Sequence, residues 1–155
     1  MADDNPLAIV ARFMMPVIAL TVGARLDAAL ERALLAKMRK LSEAQRTTLF
    51  DGYGPLSSFA AKIDVGYALN IFDDALYADL TVIRKIRNVF AHPQVILGQP
   101  PEHSDDDMVK LCKQFADYDA SIQPNKLFER KVAQCILALS NDADDITLAN
   151  EVLTR

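Results

Sequence analysis

The run DALYADLTVIRKIRNVFAHP, residues 74–93, decides the reading of the fold. At about 100° per residue, Leu76, Leu80 and Ile83 fall on one arc, the pattern of a helix with one face in a core. Asp73 is placed to cap its start. Arg84, Lys85 and Arg87 crowd its end, where the helix dipole favours cations. Pro93 disfavours helical geometry at His92 and ends the helix, so it is predicted over residues 74 to about 91. Arg87 breaks the pattern. It projects into the apolar arc between Leu76, Leu80 and Ile83, where a guanidinium requires a carboxylate, a partner chain or an anionic ligand.

The flanking segments carry the same period. Residues 6 to about 38 read as one long helix or two, with Pro16 as a kink or a boundary. Beyond Pro16, Val22, Leu26, Leu30, Ala33 and Leu34 keep helical spacing. Asp27 and Glu31 lie four apart on the border of that stripe and repel mildly, so a cation is expected to face them. The stretch DGYGPL, residues 51–56, holds most of the turn chemistry. Ser57 or Ser58 then caps a helix carrying Phe59, Ile63 and Tyr67. Residues 93–103 read as a proline-containing loop. Ser104 with Asp107 forms a capping-box-like start, followed by Met108, Leu111, Cys112 and Phe115. Pro124 opens a helix through Leu127, Phe128, Lys131, Val132, Cys135 and Leu139. The tail from Asn141 is acidic and then weakly helical, with Asp142, Asp144 and Asp145 read as a solvated connection. With no repeat, low-complexity tract or linker, the expectation is all-α: a single domain over residues 1–155, built as a bundle of five to seven helices.

Composition narrows the function. A chain of 155 residues with 51% hydrophobic and 25% charged residues is long enough for a sizeable core. Five Gly and seven Pro are too few for an all-β fold rich in tight turns. A net charge of -4 gives no general attraction to nucleic acid or anionic membrane, so any phosphate site must be local. Cys112 and Cys135 are expected as reduced core thiols of a cytoplasmic protein. Neither they nor the two histidines, His92 and His103, have zinc-site spacing, and no metal or cofactor is expected. The acids Glu102, Asp105, Asp106 and Asp107 lack the pattern of a calcium loop and read as helix-start charge. The apolar run from Phe13 to Val22 follows Asp3, Asp4 and a single Arg12. It lacks a cationic leader and is too short to span a bilayer. It is expected to be a buried helix or, with Met14, Met15 and Met38, a homodimer contact. Asp79, also in an apolar arc, is expected to pair with Arg12, Arg25 or Arg32. Lys62 can supply a second cation to an anion site at Ser57 and Ser58, but a solvated lysine is the default.

Around His92 the residue types suggest chemistry. Thr81, Arg84, Lys85 and Asn88 share one polar arc, and His92 continues it. Arg offers a bidentate fork to phosphate oxygens, and His exchanges protons near neutral pH. Together they can cleave RNA without a metal: His92 handles the 2′-hydroxyl or the leaving oxygen, Arg87 the charge on phosphorus, and Asn88 positions one or the other. Ser57 and Ser58 can add hydroxyls to backbone N–H groups at a helix start, making an anion site with Arg84 and Arg87. The structural alternatives are plain. His92 caps helix carbonyls, Arg87 pairs with Asp27 or Glu31, and a serine serves as an ordinary cap. With no Gly-x-Ser-x-Gly elbow, a serine hydrolase is disfavoured.

The segment IRKIRNVFAH resembles the signature of the HEPN superfamily, all-helical domains with Arg, four to six residues, then His. Asn88 supplies the polar residue that follows the Arg in that pattern. The block GYGPLSSFAAKIDVGYALNIF…LTVIRKIRNVFAHP is similar to the mannitol operon repressor family over about 45 residues, and VGARLDAALERALL resembles it more loosely. The resemblance implies an all-α, HEPN-like fold and negative regulation of a sugar-alcohol operon. It implies no helix-turn-helix, and the acidic charge and lack of a basic recognition helix here agree. Such a repressor acts through a protein partner rather than by direct sequence-specific DNA binding. The HEPN likeness implies the alternative: a metal-independent endoribonuclease acting on RNA, built as a homodimer, with Arg87, Asn88 and His92 as its catalytic set. The first-helix acid of relatives falls here on Asp27, a shorter side chain than Glu.

Overall fold

The structure, a computed structural model, describes residues 6–90 and 105–154, with side chains from residues 17 and 106 onward in those spans. Among the described residues the secondary structure is helical, in an all-α bundle of seven helices. They are α1 (Pro6–Lys37), α2 (Glu43–Phe50), α3 (Phe59–Ala68), α4 (Asp74–Phe90), α5 (Asp105–Cys112), α6 (Pro124–Leu139) and α7 (Ala143–Leu153). The predicted helix at residues 74–91 is α4, started by Asp73, whose carboxylate accepts from Leu76 N at 2.9 Å. Helix α1 runs unbroken through Pro16, so that proline marks no boundary. His92, Pro93, His103 and Ser104 lie outside the described residues.

The centre of the bundle is α1, α4 and α6 packed on one another. Leu26 and Leu30 of α1, Leu80, Ile83 and Ile86 of α4, and Phe128, Val132 and Cys135 of α6 are fully buried. Each such side chain contributes about 1.5–3 kcal/mol by leaving water. Helix α3 lies against α1 and α4, α5 against α4 and α6, and α7 against α6. A second, smaller cluster of Leu34, Phe50 and Leu56 anchors α2 and the turn after it, with Met38 half-buried beside it. Both cysteines are free and buried in the core. Burial pushes the Cys112 thiol up to about 11 and the Cys135 thiol higher still, so neither is a reactive thiolate. No helix among the described residues is long and apolar enough to cross a membrane.

Two sequence expectations are corrected. Asp79 pairs with Lys131 of α6, at 3.0 Å, rather than with an arginine. Lys131 is 5% exposed and also pairs with Asp117, in the turn after α5. Asp79 therefore crosses from α4 to α6, the helix packed directly on its own. The acidic tail is not a solvated connection either. Asp142 caps α7, accepting from the backbone N–H groups of Asp144 and Asp145. Asp145 pairs with Arg32 of α1 and accepts from the Ser140 hydroxyl, tying α7 to the rest.

The turn after α2 shows how tightly backbone fixes sequence. Leu56 N donates to Leu49 O at 2.8 Å across the turn. A Cβ on Gly54 would stand 2.5 Å from that same carbonyl oxygen and 2.6 Å from Thr48 O. A Cβ on Gly52 would meet nothing within 4 Å, although its φ is +57°. Gly54→Ala is therefore expected to lose about 1–3 kcal/mol by forced backbone movement, and Gly52→Ala about 1 kcal/mol from left-handed strain alone. Urea denaturation of the two variants checks the order, and the reverse order would contradict this account of the turn.

Candidate functional site

Three helices bring one residue each to a common point. Gly23 lies on α1, Phe59 opens α3, and Arg87 sits in the last turn of α4. The Arg87 guanidinium carbon lies 5.3 Å from the centroid of the Phe59 ring, a cation–π distance. The aliphatic part of Arg87 runs over Gly23, where even an added Cβ would stand only 3.0 Å from Arg87 Cδ. The absence of a side chain at Gly23 lets the arginine lie flat between α1 and α3. Arg87 is half-buried and Asn88 beside it is exposed.

The carboxylates expected to neutralise Arg87 are held by another cation. Lys62 of α3 is 4% exposed, and its Nζ lies 3.0 Å from Asp27 and 3.0 Å from Glu31. It is a buried ion, not a solvated lysine. The cation predicted to face Asp27 and Glu31 is thus Lys62. Its Nζ also sits 5.8 Å from the Phe50 ring centroid. Glu31 accepts a further bond from Arg46 of α2 at 2.8 Å. Burial alone would raise the Glu31 carboxyl, but hydrogen bonds from Arg46 and Lys62 outweigh it and hold its pKa below the ordinary value. Asp27 differs. Its Oδ1 faces Lys62 at ion-pair distance without hydrogen-bond alignment, and is buried without a hydrogen-bond partner. No described carboxylate lies within ion-pair distance of Arg87.

Gly23, Asp27 and Glu31 occupy successive turns of α1, and Phe59 and Lys62 are one turn apart on α3. The result is a ladder along the α1–α3 seam: a stacked arginine on one rung, a lysine shared by two acids on the next. Ser58 immediately precedes Phe59 and caps α3, its hydroxyl accepting from Ala61 N at 3.1 Å. That is the ordinary cap. Of the predicted anion set, Arg87 lies against the Phe59 ring, while Ser58 makes the cap of α3. Ser57 precedes it and is half-buried; Arg84, one turn before Arg87, is half-buried too. His92 falls outside the described residues.

Sequence reasoning missed Lys62 and Arg46. The signal for Lys62 was its place in the Phe59, Lys62, Ile63, Gly66 stripe, which is the buried face of α3. Helix α2, which carries Arg46, was signalled by Ser42 and Gln45, which form a reciprocal capping box. Among the described residues no group of three or more His, Cys, Asp or Glu side chains is gathered as a metal site. Compared with protein-family models, with curated proteins and with solved structures, the chain matches none.

The two cations should differ in what their truncation costs. Lys62→Ala leaves the buried Asp27 oxygen without its cation and Glu31 with Arg46 alone, and is expected to cost about 3 kcal/mol. Arg87→Ala loses a half-exposed ring contact and is expected to cost about 1 kcal/mol. Equal losses in urea denaturation would mean that Arg87 is a structural ion after all. The same pairing sets an acid limit. Because the folded-state pKa of Glu31 is lowered, its contribution is present above the unfolded value of 4.5 and is lost as pH falls through the folded one. Stability of the protein should fall on acidification below that value, and less steeply in Glu31→Gln. Parallel acid limbs for the two proteins would count against the pairing.

Proposed function

We propose that this chain is a regulatory helical domain of the mannitol operon repressor type. It acts in transcriptional repression through a protein partner, without a DNA-reading element of its own. The observation that carries the reading is the meeting of Gly23, Phe59 and Arg87. These residues come from the three sequence blocks in which the resemblance lies, VGARLDAALERALL, GPLSSF and IRKIRN. Segments far apart in the chain thus converge on one locus, which is what a shared functional arrangement requires. The acidic net charge of -4 supports a protein partner over direct contact with DNA.

One observation favours a second reading, a metal-independent endoribonuclease using Arg87, Asn88 and His92. Lys62 has taken Asp27 and Glu31, which leaves the Arg87 guanidinium without a carboxylate among the described residues. A cation over an aromatic ring, with no carboxylate on its fork among the described residues, is suited to a phosphodiester.

Two assays separate these readings. For the regulator, deleting the gene raises the transcript of a sugar-alcohol uptake operon. Wild-type protein restores repression, Arg87→Glu does not, and the purified chain alone leaves operator DNA unshifted. An unchanged transcript, or a specific shift by the chain alone, would sink the reading. For the nuclease, purified protein is incubated with RNA in excess EDTA beside His92→Ala. Cleavage by wild type that is lost in the variant would replace regulation with catalysis, while equal behaviour removes the nuclease.

A further inference from the structure

On the opposite side of α1 from the Lys62 ladder, the bundle has an opening. Helices α1 and α7 both pack on α6 but diverge from each other. Between them lies a groove of about 360 Å³. Its floor is Ala133 and Ile136 of α6, and its walls are Ile18 and Val22 of α1 and Leu148 and Val152 of α7. Near its margin the Arg32–Asp145 ion pair joins α1 to α7, with the Ser140 hydroxyl on the same carboxylate. Leu148 and Arg25, both exposed, line the way to solvent. The volume and the aliphatic lining are those of a small-molecule site.

The charges around the groove select its ligand. Three acids line it, and each is already engaged. Asp145 is held by Arg32 and Ser140, Glu129 lies 3.6 Å from Lys126, and Glu151 has a partner of its own. Arg25 is the lining cation and has no such partner among the described residues. The groove therefore offers an aliphatic slot with one exposed guanidinium at its mouth that is unpaired among the described residues. From this we infer that the α1–α6–α7 groove binds an amphipathic carboxylate, with its aliphatic body on Ala133 and Ile136 and its carboxylate paired with Arg25. The inference is independent of the regulatory reading, because it concerns a different face of α1 and is tested by direct binding.

The probes are decanoate and the uncharged decan-1-ol, titrated calorimetrically into the purified full chain. Decanoate is expected to bind one to one. Ala133→Leu fills the floor and should abolish binding of both ligands. Leu148→Asp, at an exposed wall position, should weaken both and serves if Ala133→Leu perturbs folding. Arg25→Gln should weaken decanoate about tenfold, close to 1.4 kcal/mol, and leave decanol unchanged. The proposal is overturned if decanoate does not bind, if filling the floor of a folded variant changes nothing, or if Arg25→Gln affects both ligands alike. It is also overturned if light scattering shows a dimer that Leu148→Asp dissociates while decanoate has no effect, because the groove then receives a second copy of the chain.

Discussion

The ammonium of Lys62 holds the α1–α3 seam in register. Buried between Asp27 and Glu31, it fixes how far α3 can slide along α1, because each carboxylate lies one helical turn from the other. Glu31 passes the constraint to α2 through Arg46. Without the lysine, two like charges four residues apart on α1 would face an apolar seam, an arrangement far costlier there than in water. The position of Phe59, one turn before Lys62, follows from that register, and so does the ring on which Arg87 rests.

The same device recurs on the other side of the bundle. Lys131 lies between Asp79 and Asp117 and 5.4 Å from the Phe115 ring centroid, as Lys62 lies between Asp27 and Glu31 near Phe50. Burial would lower the Lys131 pKa, but the hydrogen bonds to Asp117 and Asp79 more than offset it and raise it, so the ion remains charged in the folded chain. Each lysine thus adds an ionic tie to helices that pack largely by apolar contact. Apolar contact is tolerant of sliding, whereas an ion buried among carboxylates is not.

The bundle was largely legible in the sequence, because α4 and α6 carry apolar residues at helical spacing and α4 has a capping aspartate at its start. Helix α2 was not, since only Phe50 of its eight residues is buried and period alone cannot mark so short a segment. The identity of ion partners was illegible for a different reason. Sequence placed Asp27 and Glu31 on an apolar border and Asp79 within an apolar arc, and required cations for all three. Which cations reach them depends on how α1 crosses α3 and α4 crosses α6, and several lysines and arginines satisfy the pattern equally. Lys62 looked ordinary because lysines are usually solvated, although its neighbours in the stripe are core residues. Arg87 was recognisable as anomalous from one helix alone, but what it rests on required three.

The division of labour between Lys62 and Arg87 follows from the chemistry of their head groups. An ammonium is a compact charge with three donors, and it can serve two carboxylates on different turns of a neighbouring helix. A guanidinium is planar and more weakly hydrated, and it can lose water from one face against an aromatic ring while its edge keeps its donors. Exchanging them would fail in both places. An arginine at the position of Lys62 brings a larger planar group into a space that is 4% exposed, and a lysine at the position of Arg87 has no flat face to lay on Phe59. Because Lys62 neutralises the acids, the stacked arginine keeps its donor edge free of them. An acidic chain can in this way carry a local cationic group without presenting a basic surface.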